Sequence, residues 1–450
     1  MNSSAQNVAP GLTLRANFSW TFVGNAINAA SWFGMTIVLA KLGTPEDVGK
    51  FALGLATTAP IFMFATLRLR DVQATDAKQE YLFEDYFAMR LTTTVVALLI
   101  VAGIAFLSGF QLEMALIILA TGASKAIEAI SDAFYGLFMQ HERLDRVGKS
   151  LMIKGPLSLL GLGTGFYLTG SVFWAVIGLV IARTVIMLGF DVRNVSLSFN
   201  PSGKLIGNII PKSLPRPRWD AETLKRLFWL ALPLGFVTML ISFNLNIPRY
   251  FIEGYLGSYQ LGIFAAITAF QKAAPTAVQA MGRSAAPRLS KYFAANNVKA
   301  FRKLSIKLIG IGVLLGSAGV LVALVAGRQI LTLFYGPEYA LHGVFALVML
   351  AAGIDYIATM LLFVITSARY FRVQLPLHIL TTSTVALACF ILVPSSGLIG
   401  AAIALIIADL VRTGGSLIAA LHAFRELSKG VSISDPKDFN FNTTGKNNAY

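Results

Sequence analysis

Long apolar runs recur along the chain at intervals that predict membrane-spanning helices. Each run holds about twenty mostly apolar residues, enough for a helix to cross roughly 30 Å of hydrocarbon. About twelve such runs are present. The predicted spans are residues 17–40, 51–69, 90–110, 113–139, 151–169, 172–190, 227–247, 260–282, 305–326, 343–366, 375–393 and 398–424. This pattern predicts an all-α polytopic membrane protein.

The composition supports that prediction. Hydrophobic residues make up 56% of the 450 residues and charged residues 13%, and the mean hydropathy is +0.68. A soluble globule of this size needs more polar surface than such a chain offers. We therefore expect the protein to fold within the bilayer.

The second half of the chain repeats a pattern of the first half. Residues 41–53 (KLGTPEDVGKFAL) match residues 255–266 (YLGSYQLGIFAA), because in both a Leu-Gly pair ends one apolar run and Gly-x-Phe-Ala opens the next. Pro60 and Pro275 then follow at similar depths. Internal repeats of this kind are typical of transporters whose binding site lies between the repeats. We expect two pseudo-symmetric six-helix bundles around a central cavity.

The repeat divides the chain into four parts. We predict an N-terminal six-helix lobe over residues 1–193 and a C-terminal six-helix lobe over residues 224–427. Residues 194–223 form a basic linker rich in Pro and Gly, and residues 428–450 form a polar tail. Both are predicted to be cytoplasmic.

The net charge of +15 reflects topology rather than nucleic-acid binding. Lys and Arg collect in alternate connecting segments, whereas the segments between them hold only Lys41, Lys50, Arg249 and Arg328. By the positive-inside rule this asymmetry predicts that both termini are cytoplasmic. The first fourteen residues lack the features of a secretory signal, so we expect the first apolar run to remain as a spanning helix.

Ionisable residues also occur within the predicted spans, where each should face protein or water because burial in lipid is unfavourable. Lys125 and Glu128 stand three residues apart and can pair, as can Asp409 and Arg412, and both pairs have a purely structural interpretation. Arg183 and Lys272 lack a carboxylate nearby in sequence. The candidate anion-binding cations are Lys272, Arg183, Lys125, Arg68 and Arg70, the last two at the cytoplasmic mouth unless they are only solvated helix ends. The candidate ion-coupling carboxylates are Glu128, Asp132 and Asp355.

Other kinds of site find little support in the sequence. Cys389 is the only cysteine, which excludes disulfides within the chain. The four histidines lack metal-binding spacing, and no phosphate-binding loop is present. We expect no catalytic residues, no metal and no cofactor.

Several segments resemble bacterial polysaccharide flippases of the O-antigen and capsule type, within the multidrug/oligosaccharidyl-lipid/polysaccharide exporter superfamily. The segments are 42–51 (LGTPEDVGKF), 67–76 (LRLRDVQATD), 232–235 (LPLG), 246–250 (NIPRY), 333–339 (LFYGPEY) and 397–404 (GLIGAAIA). Related sequences often carry an acidic residue before the Arg-Tyr of the seventh helix, where this chain has Asn246-Ile-Pro, so an acidic role is not transferred to this position.

The resemblance implies a function and its partners. It implies alternating access that turns an undecaprenyl-pyrophosphate-linked oligosaccharide across the bacterial cytoplasmic (inner) membrane. The implied partners are the lipid-linked oligosaccharide, membrane lipids, a polysaccharide polymerase and glycosyltransferases. Two alternatives remain: a cation-coupled drug or metabolite exporter of the same fold, and a membrane polysaccharide polymerase. The short predicted outer loops argue against the polymerase.

Three prolines are candidate bending points. Pro60, Pro233 and Pro275 are each predicted to lie inside a spanning helix, where proline removes a backbone hydrogen bond. A helix that bends near mid-depth would let one mouth close as the other opens. The alternative is a kink held rigid by packing.

Overall fold

The computed structural model describes residues 12–76, 80–195, 205–206, 210–211, 216–272, 275–370 and 373–428. The first half contains α1 (Leu14–Leu42), α2 (Pro45–Ala65), α3 (Leu69–Thr75), α4 (Phe83–Leu107), α5 (Leu112–Gln140), α6 (Leu144–Thr169) and α7 (Val172–Ile186). A π-helix over Met187–Val192 continues α7. Two short antiparallel strands, β1 (Leu205–Ile206) and β2 (Ile210–Pro211), lie in the predicted linker.

The second half contains α8 (Ala221–Ala269), a 3-10 turn (Phe270–Lys272), α9 (Pro275–Ala294) and α10 (Val298–Phe334). A second 3-10 turn (Pro337–Tyr339), α11 (His342–Ser367) and α12 (Gln374–Ser428) follow. In the described part of the chain, ten helices are long and apolar enough to cross a membrane. The prediction of an all-α polytopic membrane protein is confirmed.

Two of these helices are longer than one crossing requires. α8 has 49 residues and α12 has 55, about 75 and 80 Å at 1.5 Å per residue. Each is interrupted by a glycine with positive φ, Gly257 at 81° and Gly397 at 58°, a conformation that other residues rarely adopt. These glycines fall where the sequence analysis separates two spans. The count of twelve spans and the four-part division of the chain stay predictions.

The predicted span over residues 260–282 is wrong as a continuous helix. α8 ends at Ala269, a 3-10 turn follows, and α9 begins at Pro275. Proline suits the first position of a helix because the backbone N–H that it lacks has no helical partner there. Pro60 and Pro233 do lie inside helices, in α2 and α8. Arg249 was placed in an outer loop, which is also wrong, because it lies inside α8 and is buried.

Helices within each half pack closely through small residues. Gly161 of α6 faces Gly178 of α7, and Gly316 of α10 faces Gly353 of α11; a side chain at any of these positions would collide with the opposite backbone. Small residues let helix backbones approach in this way when lipid supplies no hydrophobic drive for association.

The two halves meet along α2 and α8. Gly49 and Gly262 are matched by the sequence repeat, and here they touch: a Cβ on Gly49 would meet the backbone of Ser258, and one on Gly262 would meet the backbone of Pro45. Reciprocal contacts of this kind, in which each glycine meets the backbone of the other repeat, are what a two-fold axis between the repeats produces. We call this end of the molecule, with Gly43 and Gly257, the distal end.

Aromatic rings also join the halves at the distal end. Phe33 of α1 lies 5.0 Å from Phe270 and 5.7 Å from Phe334, measured between ring centroids. Phe270 lies 5.6 Å from Tyr335 and 5.2 Å from Phe345. These five residues form the distal aromatic cluster, which closes this end between α1 and the second half.

Candidate functional site

One face of α5 carries the ionisable residues predicted from sequence. Lys125, Glu128 and Asp132 are spaced by three and four residues, so they project from neighbouring turns of the same face. Each is partly exposed, at 22, 41 and 25% of the side chain. The buried positions of α5 are mostly apolar, so these three partly exposed residues form a separate polar stripe on the helix.

Glu128 lies between two cations. Its Oε2 atom is 2.9 Å from Lys125 Nζ and 3.1 Å from Arg183 Nη1. Arg183, on α7, is 4% exposed and also donates to Ser124 Oγ at 2.9 Å. The predicted Lys125–Glu128 ion pair is confirmed, and Arg183 finds its carboxylate across helices. We call Lys125, Glu128 and Arg183 the Glu128 cluster.

Trp32 of α1 completes the surroundings of this cluster. Lys125 Nζ lies 5.3 Å and the Arg183 guanidinium carbon 5.1 Å from the centre of the Trp32 ring. Both distances fit cation–π attraction. Nothing in the sequence alone distinguishes Trp32 from the other aromatic residues of the apolar runs.

Asp132 repeats the arrangement one turn away. Its Oδ1 accepts from Arg70 Nη1 at 3.0 Å, and its Oδ2 accepts from Arg90 Nη2 at 3.1 Å. Arg70 is 40% exposed, whereas Arg90 is 1% exposed. These three residues form the Asp132 cluster. Arg90 lies two turns inside α4 and reaches Asp132 from another helix, so sequence spacing does not indicate this contact.

The backbone conformation around Arg68 gives Arg68 and Arg70 different partners. Leu67 and Arg68 both have positive φ, 46° and 48°, which ends the run of α2 and starts α3 in a new direction. Arg68 then pairs with Asp71 on the same short helix at 2.7 Å, with both side chains exposed by more than a third. Of the two predicted cations, only Arg70 joins a cluster on α5.

A third cluster lies deeper between α5, α6 and the π-helix. Lys154 Nζ donates to Tyr135 Oη at 2.7 Å and to Asp191 Oδ2 at 3.2 Å, and Ser150 donates to Asp191 Oδ1 at 2.5 Å. Lys154 and Asp191 are at most 7% exposed. The pair balances its own charge and holds the three elements together.

The second half carries a cluster of opposite sign. Arg412 of α12 forms an ion pair with Asp355 of α11, and Asp409 lies 3.9 Å from the same guanidinium. The expected Asp409–Arg412 contact is therefore present, but Asp355 is the closer partner. The predicted coupling carboxylates Glu128, Asp132 and Asp355 are thus all in ion pairs.

Two further cations, Arg249 and Lys272, lie on α8 and on the 3-10 turn that follows it. The 3-10 turn places the backbone of Lys272 near the distal aromatic cluster, but its side chain lies outside the described residues. Arg249 is 9% exposed and donates to Asn246 Oδ1 at 3.2 Å. No carboxylate in the described part of the chain lies within 4 Å of Arg249. Asn246 occupies the place where related sequences often carry an acid.

The Glu128 and Asp132 clusters give the first half an excess of positive charge. Each holds one carboxylate, one partly exposed cation (Lys125 or Arg70) and one buried cation (Arg183 or Arg90). Arg and Lys near one another bind phosphate through charge-assisted hydrogen bonds. Among the described residues, no group of three His, Cys, Asp or Glu side chains could hold a metal ion. The arrangement suits an anionic group that enters from solution.

Comparison with known proteins agrees with this architecture. Residues 14–293 match the family described as polysaccharide biosynthesis protein. The chain is 29% identical over 399 residues to the capsular polysaccharide biosynthesis protein CapF of Staphylococcus aureus, covering 88% of this chain and 96% of the relative.

Solved structures show the same fold at low identity. An inward-facing multidrug resistance MATE family transporter of the MOP superfamily matches with a TM-score of 0.68 and 14% identity, covering 91% of this chain and 98% of its own. An outward-facing one matches with a TM-score of 0.59, 14% identity and coverage of 92 and 95%. A MOP superfamily transporter from Pyrococcus furiosus matches with a TM-score of 0.54, 14% identity and coverage of 91 and 94%. The chain is a multi-pass membrane protein with a MOP-type transporter fold, and it belongs to the polysaccharide biosynthesis protein family.

Proposed function

We propose that this protein flips a polyprenyl-diphosphate-linked oligosaccharide, such as an undecaprenyl-pyrophosphate-linked repeat unit, across the bacterial cytoplasmic membrane by alternating access. The observation that carries the proposal is the pair of clusters on α5, in which two cations share each carboxylate. A diphosphate cannot cross hydrocarbon unaided, whereas a wet cationic path lets the head group pass while the lipid tail stays in the bilayer.

The two clusters lie at successive depths. Asp132 is about 12 Å and Lys125 about 22 Å from the end of α5 at Gln140, at 1.5 Å per residue. In the predicted topology Gln140 is at the cytoplasmic end. The head group would meet Arg70 and Arg90 first and then Lys125 and Arg183.

The distal aromatic cluster fits the closed outer mouth of an inward-open state. With both termini cytoplasmic, the distal end faces the outside, where Phe33 packs against Phe270 and Phe334. Opening this end requires those rings to separate. Lys272, on the turn beside Phe270, remains a proposed contact for the head group.

The alternative exporter of cationic drugs or metabolites is less well supported. Such a substrate needs a carboxylate without a cationic partner, but Glu128, Asp132 and Asp355 are each held by at least one cation. The polymerase alternative requires catalytic groups outside the membrane. The helices of the transporter fold account for most of the described chain, which favours a transporter without enzymatic activity.

A deletion strain tests the proposal. Loss of a flippase should leave lipid-linked oligosaccharide in the inner leaflet and remove surface polysaccharide, and both defects should be corrected by the plasmid-borne gene. Loss of a polymerase would instead leave single repeat units at the cell surface. Normal surface polysaccharide together with increased drug sensitivity would contradict the proposal and favour the exporter.

Reporter fusions test the orientation separately. A fusion within residues 194–223 should report a cytoplasmic position, because basic residues collect there. A periplasmic signal from this segment would reverse the topology and, with it, the direction assigned to the two clusters.

A further inference from the structure

The Glu128 cluster is built around a single carboxylate oxygen. Oε2 of Glu128 receives both the ammonium of Lys125 and Nη1 of Arg183, at 2.9 and 3.1 Å. Among the described contacts the other oxygen, Oε1, makes no hydrogen bond, and the side chain is 41% exposed. One oxygen is therefore held at the cations while part of the side chain stays accessible.

The cations have donor capacity that Glu128 does not use. Nε of Arg183 is buried without a hydrogen-bond partner in the structure, and Nη1 alone makes every hydrogen bond described for this guanidinium. A guanidinium binds best to a group that presents two oxygens side by side. A phosphate offers three oxygens around one centre, whereas the single Glu128 oxygen contacts Lys125 and Nη1 of Arg183 but leaves Nε of Arg183 without a partner.

Trp32 and Ser124 hold the cations independently of Glu128. The Trp32 ring attracts both charges at 5.1 and 5.3 Å, and Ser124 accepts from Arg183 through its hydroxyl and its carbonyl oxygen. Departure of the carboxylate would therefore leave Arg183 partly supported. The position vacated by Oε2 would lie between two fixed cations.

We propose that Glu128 is a built-in competitor of the substrate: its carboxylate occupies the position of a phosphate oxygen, and diphosphate binding displaces it into the interior. This inference rests on the proposed function and adds a control on affinity. Without substrate, Glu128 neutralises one of the two cations. When the head group must leave, the carboxylate returns to Lys125 and Arg183 and helps to release it.

Binding of farnesyl diphosphate to purified protein tests the competition. Glu128→Gln keeps the shape of the side chain and removes the charge, so the dissociation constant for farnesyl diphosphate should fall about tenfold. Polysaccharide export by cells carrying this variant should be slower, because release is impaired. Inorganic pyrophosphate, measured in parallel, separates recognition of the diphosphate from recognition of the lipid.

Asp355→Asn is the matched control. It also removes the charge of a carboxylate paired with Arg within a span, but from the second half. It should not tighten farnesyl diphosphate binding. Equal tightening in both variants would indicate a general effect of net charge and would overturn the proposal, as would unchanged or weaker binding in Glu128→Gln.

Carbodiimide labelling of the unaltered protein provides a test that does not depend on the folding of a variant. Glu128 should become more reactive when farnesyl diphosphate is added, because its carboxylate leaves the two cations, and mass spectrometry of the α5 peptide measures this. Unchanged or reduced labelling at saturating ligand would refute displacement. If the ligand binds and displaces Glu128 but the deletion strain exports polysaccharide normally, the proposed function fails and the competition stands.

Discussion

The two halves of the molecule share a fold pattern, but their clusters of ion-paired residues differ in the sign of the residual charge. In the first half two carboxylates on α5 are each shared by two cations, Glu128 by Lys125 and Arg183 and Asp132 by Arg70 and Arg90. In the second half the ratio is reversed, because Asp355 and Asp409 share Arg412.

The difference shows that burying charge and binding a ligand are separate demands. A buried charge needs a partner, since an isolated one carries a desolvation penalty of several kcal/mol. Lys154 and Asp191 meet this demand, because each neutralises the other and the pair has no residual charge. An unequal ratio instead leaves residual charge that favours a third group, an anion in the first half and a cation in the second.

This contrast assigns different tasks to the halves. The first half would hold the diphosphate. Asp355 and Asp409 of the second half would be the place where a coupling cation binds. The predictions that follow separate these tasks by changing one half at a time.

Arg412→Ala should have the largest effect, and that effect should be on stability. Without Arg412, two carboxylates lie near each other within the bundle, which should destabilise the folded protein by about 3 kcal/mol. A lower melting temperature in detergent, with an unchanged dissociation constant for farnesyl diphosphate, is the expected result. Adding Asp355→Asn should recover part of the loss. Weaker diphosphate binding by properly folded Arg412→Ala would place the anion site in both halves.

Arg183→Ala should instead impair binding. The change leaves Lys125 and Glu128 as a neutral pair, so the cluster loses its residual positive charge. A hydrogen bond to a charged group contributes about 1.5 kcal/mol, so affinity for farnesyl diphosphate should fall about tenfold. Arg183→Lys keeps the charge without the planar donor group and should lose less. Normal affinity and export in the Ala variant would refute the assignment, whereas failure of the protein to accumulate would show a structural role.

Arg70→Ala should have a smaller effect that depends on salt. Arg70 is 40% exposed, so mobile ions screen its attraction for an incoming head group. We expect about a threefold slower association with farnesyl diphosphate at low ionic strength and little change at high ionic strength. Arg68→Ala is the control, because Arg68 pairs with Asp71 on its own short helix. Equal effects from both variants would point to general surface charge rather than to the Asp132 cluster.

These clusters also show which contacts the sequence could reveal. The Lys125–Glu128 pair follows from residues three apart on one helix. Arg183 and Glu128 are 55 residues apart, and Arg90 and Asp132 are 42 apart, so their contacts depend on how helices pack. Sequence spacing likewise favoured Asp409 as the partner of Arg412, although Asp355, 57 residues away, lies closer.

The spans were more predictable than the clusters because apolar length is a local property. The glycines at 257 and 397 mark their breaks in the sequence itself. The break between Ala269 and Pro275 was missed because Gln271, Lys272 and Pro275 were all placed inside one predicted span. A proline within a span also suits a kinked helix, so Pro275 alone does not indicate a break.

The smallest effect should come from substituting the prolines. These variants compare how the two halves move rather than how they are charged. Pro60 and Pro233 lie inside α2 and α8, the helices that join the halves, and each leaves a carbonyl without its usual helical donor. Pro233→Ala should restore that hydrogen bond, stiffen α8 and shift the ratio of inward to outward cysteine labelling about twofold, with unchanged farnesyl diphosphate affinity. Pro275→Ala is the matched variant, because Pro275 is the first described residue of α9 rather than an internal one. If Pro233→Ala changes neither the labelling ratio nor export, the kink is fixed by packing and bending occurs elsewhere. If Pro275→Ala has the greater effect, the break between Ala269 and Pro275 is the bending point of the second half.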